Sequence, residues 1–177
     1  MTRNTIIFRI ILLMALATGY DPKTTPAQVI GELAEMDRLE QRADELAAQA
    51  DPEGAAQASG KAAMMADILT KETKDPYTQN TFQAASLHYR AQERGLRALA
   101  LFERAGGTPP APPGVCHYLH QSVTKLSESK TLLQHPPNNS PIEITSRRNH
   151  LLQKNAEWTA IFNGLHEDFA CPEKATD

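Results

Sequence analysis

The stretch Gly114–His120 reads GVCHYLH and places the thiol of Cys116 beside the imidazoles of His117 and His120. Three chemistries use such neighbours: covalent haem attachment, metal ligation and disulfide formation. Haem attachment takes Cys-x-x-Cys-His, and here Pro113 stands where the first cysteine would be. A structural zinc site takes four ligands. Cys116 and His120 are one helical turn apart, with His117 or His166 to add, but no second Cys/His pair has finger-like spacing. The one other cysteine is Cys171. In an oxidising compartment two cysteines in one small domain pair as a disulfide, and the bond would consume the thiolate that a metal needs.

The N-terminus bears on the compartment. MTRNTIIFRIILLMALATGYDP carries Arg3 and Arg9, then an apolar run from Ile10 to Ala17 that ends in the small residues Ala15 and Ala17. This is the layout of a secretory signal peptide, residues 1–17, with the mature chain starting near Thr18. No cysteine follows the cleavage region, so a lipid anchor is not expected. The apolar run is far shorter than the ~20 residues that cross a bilayer, and no stable membrane insertion is expected after cleavage. Export to the periplasm or the exterior therefore predicts a Cys116–Cys171 disulfide. No metal or cofactor is expected; Cys116, His117 and His120 would be the ligands if the disulfide did not form.

Other side chains offer less chemistry. The sequence has no Gly-x-Ser-x-Gly, no glycine-rich phosphate loop and no His-Glu-x-x-His. His166-Glu167-Asp168 are consecutive, and consecutive helical residues point in different directions. Arg90, Arg94, Arg97 and Arg104 recur at helical spacing. They form either a solvated stripe, a partner for the acidic cluster Glu32, Glu35, Asp37, Glu40, Asp44 and Glu45, or a docking surface for an acidic partner. Removing residues 1–17 takes away two arginines and no acid, so the charge moves from −3 to −5. A mildly acidic chain disfavours nucleic acid as the main partner.

These side chains must be positioned by helices. Few aromatics and abundant alanine suit closely packed helices, and no period-two run of β-branched residues competes. Five helical segments are predicted. The first opens on a Thr25-Pro26-Ala27-Gln28 capping box and carries Val29, Leu33, Met36, Leu39, Ala43, Leu46 and Ala50 on one face. Asp51-Pro52 separates it from an alanine-rich second helix, 52–73, weakened by Gly54 and Gly60, with Met64, Met65, Ile68 and Leu69 as its larger apolar residues. After a break at DPYTQN the third runs from 81 to 104 and stops at Gly106-Gly107. The proline-rich linker 108–114 follows, then a fourth helix, 115–134, with Cys116, Leu119, Val123, Leu126 and Leu133 on one stripe. A capping box at Ser140-Pro141 opens the fifth there or a turn later, with Leu151, Trp158, Phe162, Leu165 and Phe169 facing helix four. A short loop makes helices four and five an antiparallel hairpin, which brings Cys116 towards Cys171. A fifth helix starting at Pro141 would overshoot its partner by about ten residues, ~15 Å. A start near Ser146 or a bend at Gly164 would remove most of that.

In FQAASLHYRAQERGLRALALFERAGGTPP, the positions Phe82, Ala85, Ser86, Tyr89, Ala98, Phe102, Ala105 and Pro110 resemble the large, small and proline positions of a tetratricopeptide repeat. The resemblance covers one window and implies two helices turning near Glu93–Gly95. It implies no particular binding residues. The expected architecture is one all-α domain, 18–177: an antiparallel bundle or irregular helical array of about five helices with one disulfide. The expected role is non-enzymatic protein binding in the cell envelope, as an accessory, inhibitor, immunity or chaperone-like factor. The alternative is a ligand- or metal-binding bundle using Met36, Met64 or Met65 with a core histidine, and the third reading is a tetratricopeptide-like adaptor.

Overall fold

The computed structural model describes residues 26–134 and 142–172. The signal-peptide reading, the Thr25 cap and the Ser140-Pro141 capping box lie outside those residues. Five helices are described: α1 (Pro26–Ala48), α2 (Pro52–Glu72), α3 (Pro76–Arg104), α4 (Pro113–Leu133) and α5 (Ile142–Asp168), with no strand among the described residues. Cys116 and Cys171 form a disulfide with Cα atoms 5.5 Å apart. The all-α, five-helix architecture with one disulfide is as the sequence predicts.

Helix boundaries follow from caps. Asp51 accepts from the Gly54 N–H (2.9 Å), and Pro52 takes the first helical position of α2. Asp75 and Pro76 repeat the device: Asp75 accepts from the backbone N–H (2.8 Å) and hydroxyl (2.6 Å) of Thr78. The expected break at DPYTQN is thus the start of α3, because an aspartate before proline caps a helix as readily as it ends one. Three helices end by the same left-handed turn. Gly106 (φ 99°) and Gly107 (φ 63°) follow α3, Ala50 (φ 58°) follows α1 and Ala170 (φ 50°) follows α5.

α3 is one unbroken helix through Glu93–Gly95, so the turn implied by the tetratricopeptide resemblance is absent. Gly95 has another purpose. A Cβ built there would collide with the Phe162 ring, the third-nearest ring carbon lying at 2.7 Å. The glycine lets α5 seat an aromatic ring against the backbone of α3.

The contact is one layer of a regular seam. Thr81 meets Arg148, His88 meets Asn155, Gly95 meets Phe162, and Phe102 stacks on Phe169 with ring centroids 3.7 Å apart. Each pair is separated by 67 residues, and successive layers are seven residues apart. Seven residues are two helical turns, so α3 and α5 run parallel and in register, as in a coiled-coil seam. On another side α2 packs on α3 through small side chains: Ala62, Ala63 and Ala66 share one buried cluster with Ala84 and Ala85. Small residues let the two backbones approach closely.

Three apolar clusters fill the interior, the smallest joining Ala55, Ala56 and Leu96. Of the two larger ones, one joins Met36, Leu39, Leu69, Phe82, Tyr89, Leu133 and Leu151; the other joins Phe102, Val115, Leu119, Leu126, Phe162 and Phe169. Some expected core positions lie elsewhere. Met64 is 59% exposed, because it stands on the face of α2 turned away from α3. Trp158 is only half-buried; it covers Phe162 and the Leu96–Ala55 cluster rather than filling a cavity against α4. The expected overshoot of α5 exists, but at its other end. Asn155 lies level with Ser129 (3.0 Å), so the first turns of α5 extend past the end of α4 by about nine residues, ~14 Å. They match the longer α3 instead, which leaves Cys171 beside Cys116.

Candidate functional site

A polar layer divides the interior. On α3 it falls between Phe82 and Phe102, on α4 between Leu126 and Leu133, and on α5 between Leu151 and Phe162, where the two larger clusters meet. The His88 ring is fully buried, with Nδ1 2.7 Å from Asn155 Oδ1. An amide oxygen only accepts, so His88 Nδ1 carries the proton and donates. Asn155 Nδ2 donates to Ser129 Oγ (3.0 Å), which donates to the Ala84 carbonyl (2.8 Å). The chain closes on three helices and fixes the tautomer. Burial pushes the His88 pKa below the usual imidazole value, against the hydrogen bond that His88 donates to Asn155.

The neighbouring cluster is anionic. Glu40 of α1 accepts from the Tyr89 hydroxyl (2.7 Å) and pairs with His150 Nε2 (3.0 Å). Burial alone would raise the Glu40 pKa; the hydrogen bonds from His150 and Tyr89 outweigh it and hold the carboxyl below its ordinary value. Burial, reinforced by the Glu40 charge, pushes the Tyr89 phenol well above the usual range. Both neighbours are thus held in the forms that donate to or accept from one another, which is a structural role.

The arginine stripe lies on the outer face of α3, between α2 and α4. Arg90 pairs with Asp67, which also accepts from Ser86 (2.5 Å). Arg97 pairs with Glu93 (2.8 Å) and Arg104 with Glu53 (3.4 Å). These carboxylates come from α2 and from α3 itself, not from the acidic α1. The reason is the helix order: α1 contacts α2 and turns Asp37, Glu40 and Asp44 towards α5, where they meet Arg147, His150 and Lys154. Arg94 differs from the other three. It hydrogen-bonds to Gln121 of α4, whose Nε2 in turn donates to His117 Nε2 (2.6 Å), and it has no carboxylate partner among the described residues. Arg94 and Lys125 rim a surface depression of about 280 Å³ together with His120, Gln121, Thr124 and Glu128. Lys125 likewise makes no ion pair among the described residues.

The metal candidates are not gathered. The Cys116 sulfur is bonded to Cys171, His117 is turned to Gln121, and His120 faces the depression. Among the described residues no group of three or more His, Cys, Asp and Glu could hold a metal ion. His166, Glu167 and Asp168 do not converge on one another. Of the methionines named for a ligand site, Met36 is wholly buried among apolar neighbours and Met64 faces solvent.

Sequence reasoning missed His88, Arg148 and Asn155 as interior residues. The signal was present: Arg148, Leu151, Asn155, Trp158 and Phe162 follow a three-four spacing, which places the two polar residues on the same face as the apolar ones.

The fold defines a class, an antiparallel five-helix bundle with a disulfide joining the start of α4 to the end of α5. Compared with known proteins, the chain matches no family model, no curated protein and no solved structure. No described helix is long and apolar enough to cross a membrane.

Proposed function

We propose that this is an exported, non-enzymatic helical protein of the periplasm or the exterior that acts by binding another protein. Its docking surface is the arginine face of α3 and α4, centred on Arg94 and Lys125. The supporting observation is the uneven neutralisation of the stripe. Arg90, Arg97 and Arg104 each have a carboxylate from their own chain, whereas Arg94 and Lys125 stand together on a depression with Glu128 as its one acid. Cations without a carboxylate partner among the described residues attract and orient an acidic segment of another protein. An accessory, inhibitor, immunity or chaperone-like role fits this chemistry.

A photo-crosslinking residue placed at Thr124 in the native host should capture one defined envelope protein, and the same residue at Gln41, on the outer face of α1, should not. Equal capture at both positions, or capture at neither, would overturn the proposal. N-terminal sequencing of the exported form should start near Thr18.

A second reading, a bundle that holds a small ligand, is favoured by a groove of about 540 Å³ between α4 and α5. It is floored by Leu126 and Asn155 and edged by Ala156 and Ala160. Native mass spectrometry of protein from its own host would show the added mass.

A further inference from the structure

We propose that the N-terminal half of α5, Ile142–Asn155, is a charge-clasped latch that opens while the C-terminal half stays in place. The forces holding this helix change along its length. Its C-terminal half is fixed by apolar contact and by a covalent bond: Phe162 is seated on Gly95, Phe169 is stacked on Phe102, and Cys171 is bonded to Cys116. The Phe169 carbonyl also accepts from the Ala111 N–H (2.8 Å).

The N-terminal half has different anchors. Leu151 is its one buried apolar side chain. On the α1 side it is held by Asp37–Arg147, Glu40–His150 and Asp44–Lys154, with contacts of 2.7, 3.0 and 2.9 Å, each pair 110 residues apart. The constant separation means that α1 and α5 run parallel and meet through the ends of long side chains. On the α3 side the anchors are Arg148 and Asn155, both polar. The Arg148 guanidinium is buried with no carboxylate partner among the described residues. It donates to Thr81 Oγ1 (3.2 Å) and the Leu132 carbonyl (3.1 Å) and lies 4.3 Å from the centre of the Tyr77 ring. A buried cation held only by neutral groups retains much of its desolvation cost. Because α4 ends at Leu133, it does not cover the first turns of α5. The charged and titratable groups facing the latch are Asp37, Glu40 and Asp44 from α1, Tyr77, His88 and Tyr89 from α3 and Lys130 from α4.

Local opening follows the weakest set of contacts. Here that set is ionic and partly exposed, so dissolved ions compete with it. At 1 M salt the screening length falls to about 3 Å, comparable to the contacts themselves. Opening stops short of Trp158, which lies over the Phe162 seat, and it uncovers Leu151 and Leu133.

Hydrogen exchange of the full chain, with its disulfide intact, tests this. Amides of Ser146–Asn155 should exchange on the order of tenfold faster than those of Trp158–Asp168 in low salt. Molar sodium chloride, and separately the pair Asp37→Asn and Asp44→Asn, should each speed the first group several-fold further and leave the second unchanged. Equal exchange in both halves would overturn the latch, and so would a difference that neither salt nor the substitutions widen.

Discussion

Replacing Gly95 by alanine should destabilise this protein, although the same change stabilises most helices. Gly95 is buried in the middle of α3, where alanine normally gains ~1 kcal/mol of helix propensity. Against that gain stands the Phe162 ring, three of whose carbons would lie at 2.7 Å or less from the new methyl. Ordinary carbon–carbon contact is ~3.5–4.0 Å, so the ring must retreat by more than an ångström. Phe162 cannot do so freely, because Trp158 lies over it with ring centroids 5.2 Å apart and the heptad seam fixes α5 above and below. Overpacking of this kind costs ~1–3 kcal/mol. A displaced backbone contact belongs at the upper end, which leaves a net loss of ~2 kcal/mol after the propensity gain. Urea unfolding with the disulfide intact measures it. Two controls isolate the cause. Gly164, in α5 with nothing within 4 Å of its Cβ direction, should gain up to ~1 kcal/mol on substitution by alanine. In a Phe162→Ala background, Gly95→Ala should change sign and stabilise. A Gly95→Ala variant at least as stable as the parent chain would refute the seating of Phe162 and the register of the seam.

Cys116→Ser opens a loop of 55 residues and should cost on the order of 4 kcal/mol, read as a lower urea midpoint; a variant that melts like the parent would remove the staple. Ala50→Gly should stabilise by up to ~1 kcal/mol, since a left-handed alanine at φ 58° is strained and glycine is not; differential scanning calorimetry reads this as a higher melting temperature. Lowering the pH should destabilise in two stages. His88 has a folded pKa below its unfolded value, so the unfolded chain takes up its proton first and stability falls below about pH 6.5. Glu40 has a depressed folded pKa, so its contribution is present above about pH 4.5 and is lost as the pH falls further. His88→Gln should remove the first stage alone.

Much of the fold was legible in the sequence because helices announce themselves locally. The Asp51-Pro52 boundary, the Gly106-Gly107 stop and the stripe Cys116–Leu119–Leu126–Leu133 need only neighbours along the chain. The disulfide was legible because helix direction and loop length are nearly local too. The pairing of α5 with α3 was not. It rests on a seam between segments 67 residues apart, two of whose four layers, Thr81–Arg148 and His88–Asn155, are polar. An apolar-stripe criterion discards such layers, although a polar pair in a seam is what specifies register. The turn near Glu93–Gly95 that the repeat resemblance implies fails for the same reason: α3 continues through Gly95 because the Phe162 ring of α5 is seated there. The arginine stripe was legible as a stripe, but which of its members lacks a carboxylate depends on where α2 and α4 pack.

The measurement that bears most directly on the proposed function is the affinity of the crosslinked envelope protein for the chain carrying Arg94→Glu and Lys125→Glu. Both side chains are half-buried at the rim of the depression and neither forms an ion pair among the described residues, so the melting temperature should fall by no more than a few degrees. Binding should weaken on the order of tenfold or more in low salt, and the loss should shrink as salt rises, because the interaction is between charges. An affinity unchanged by the double charge reversal would contradict the account.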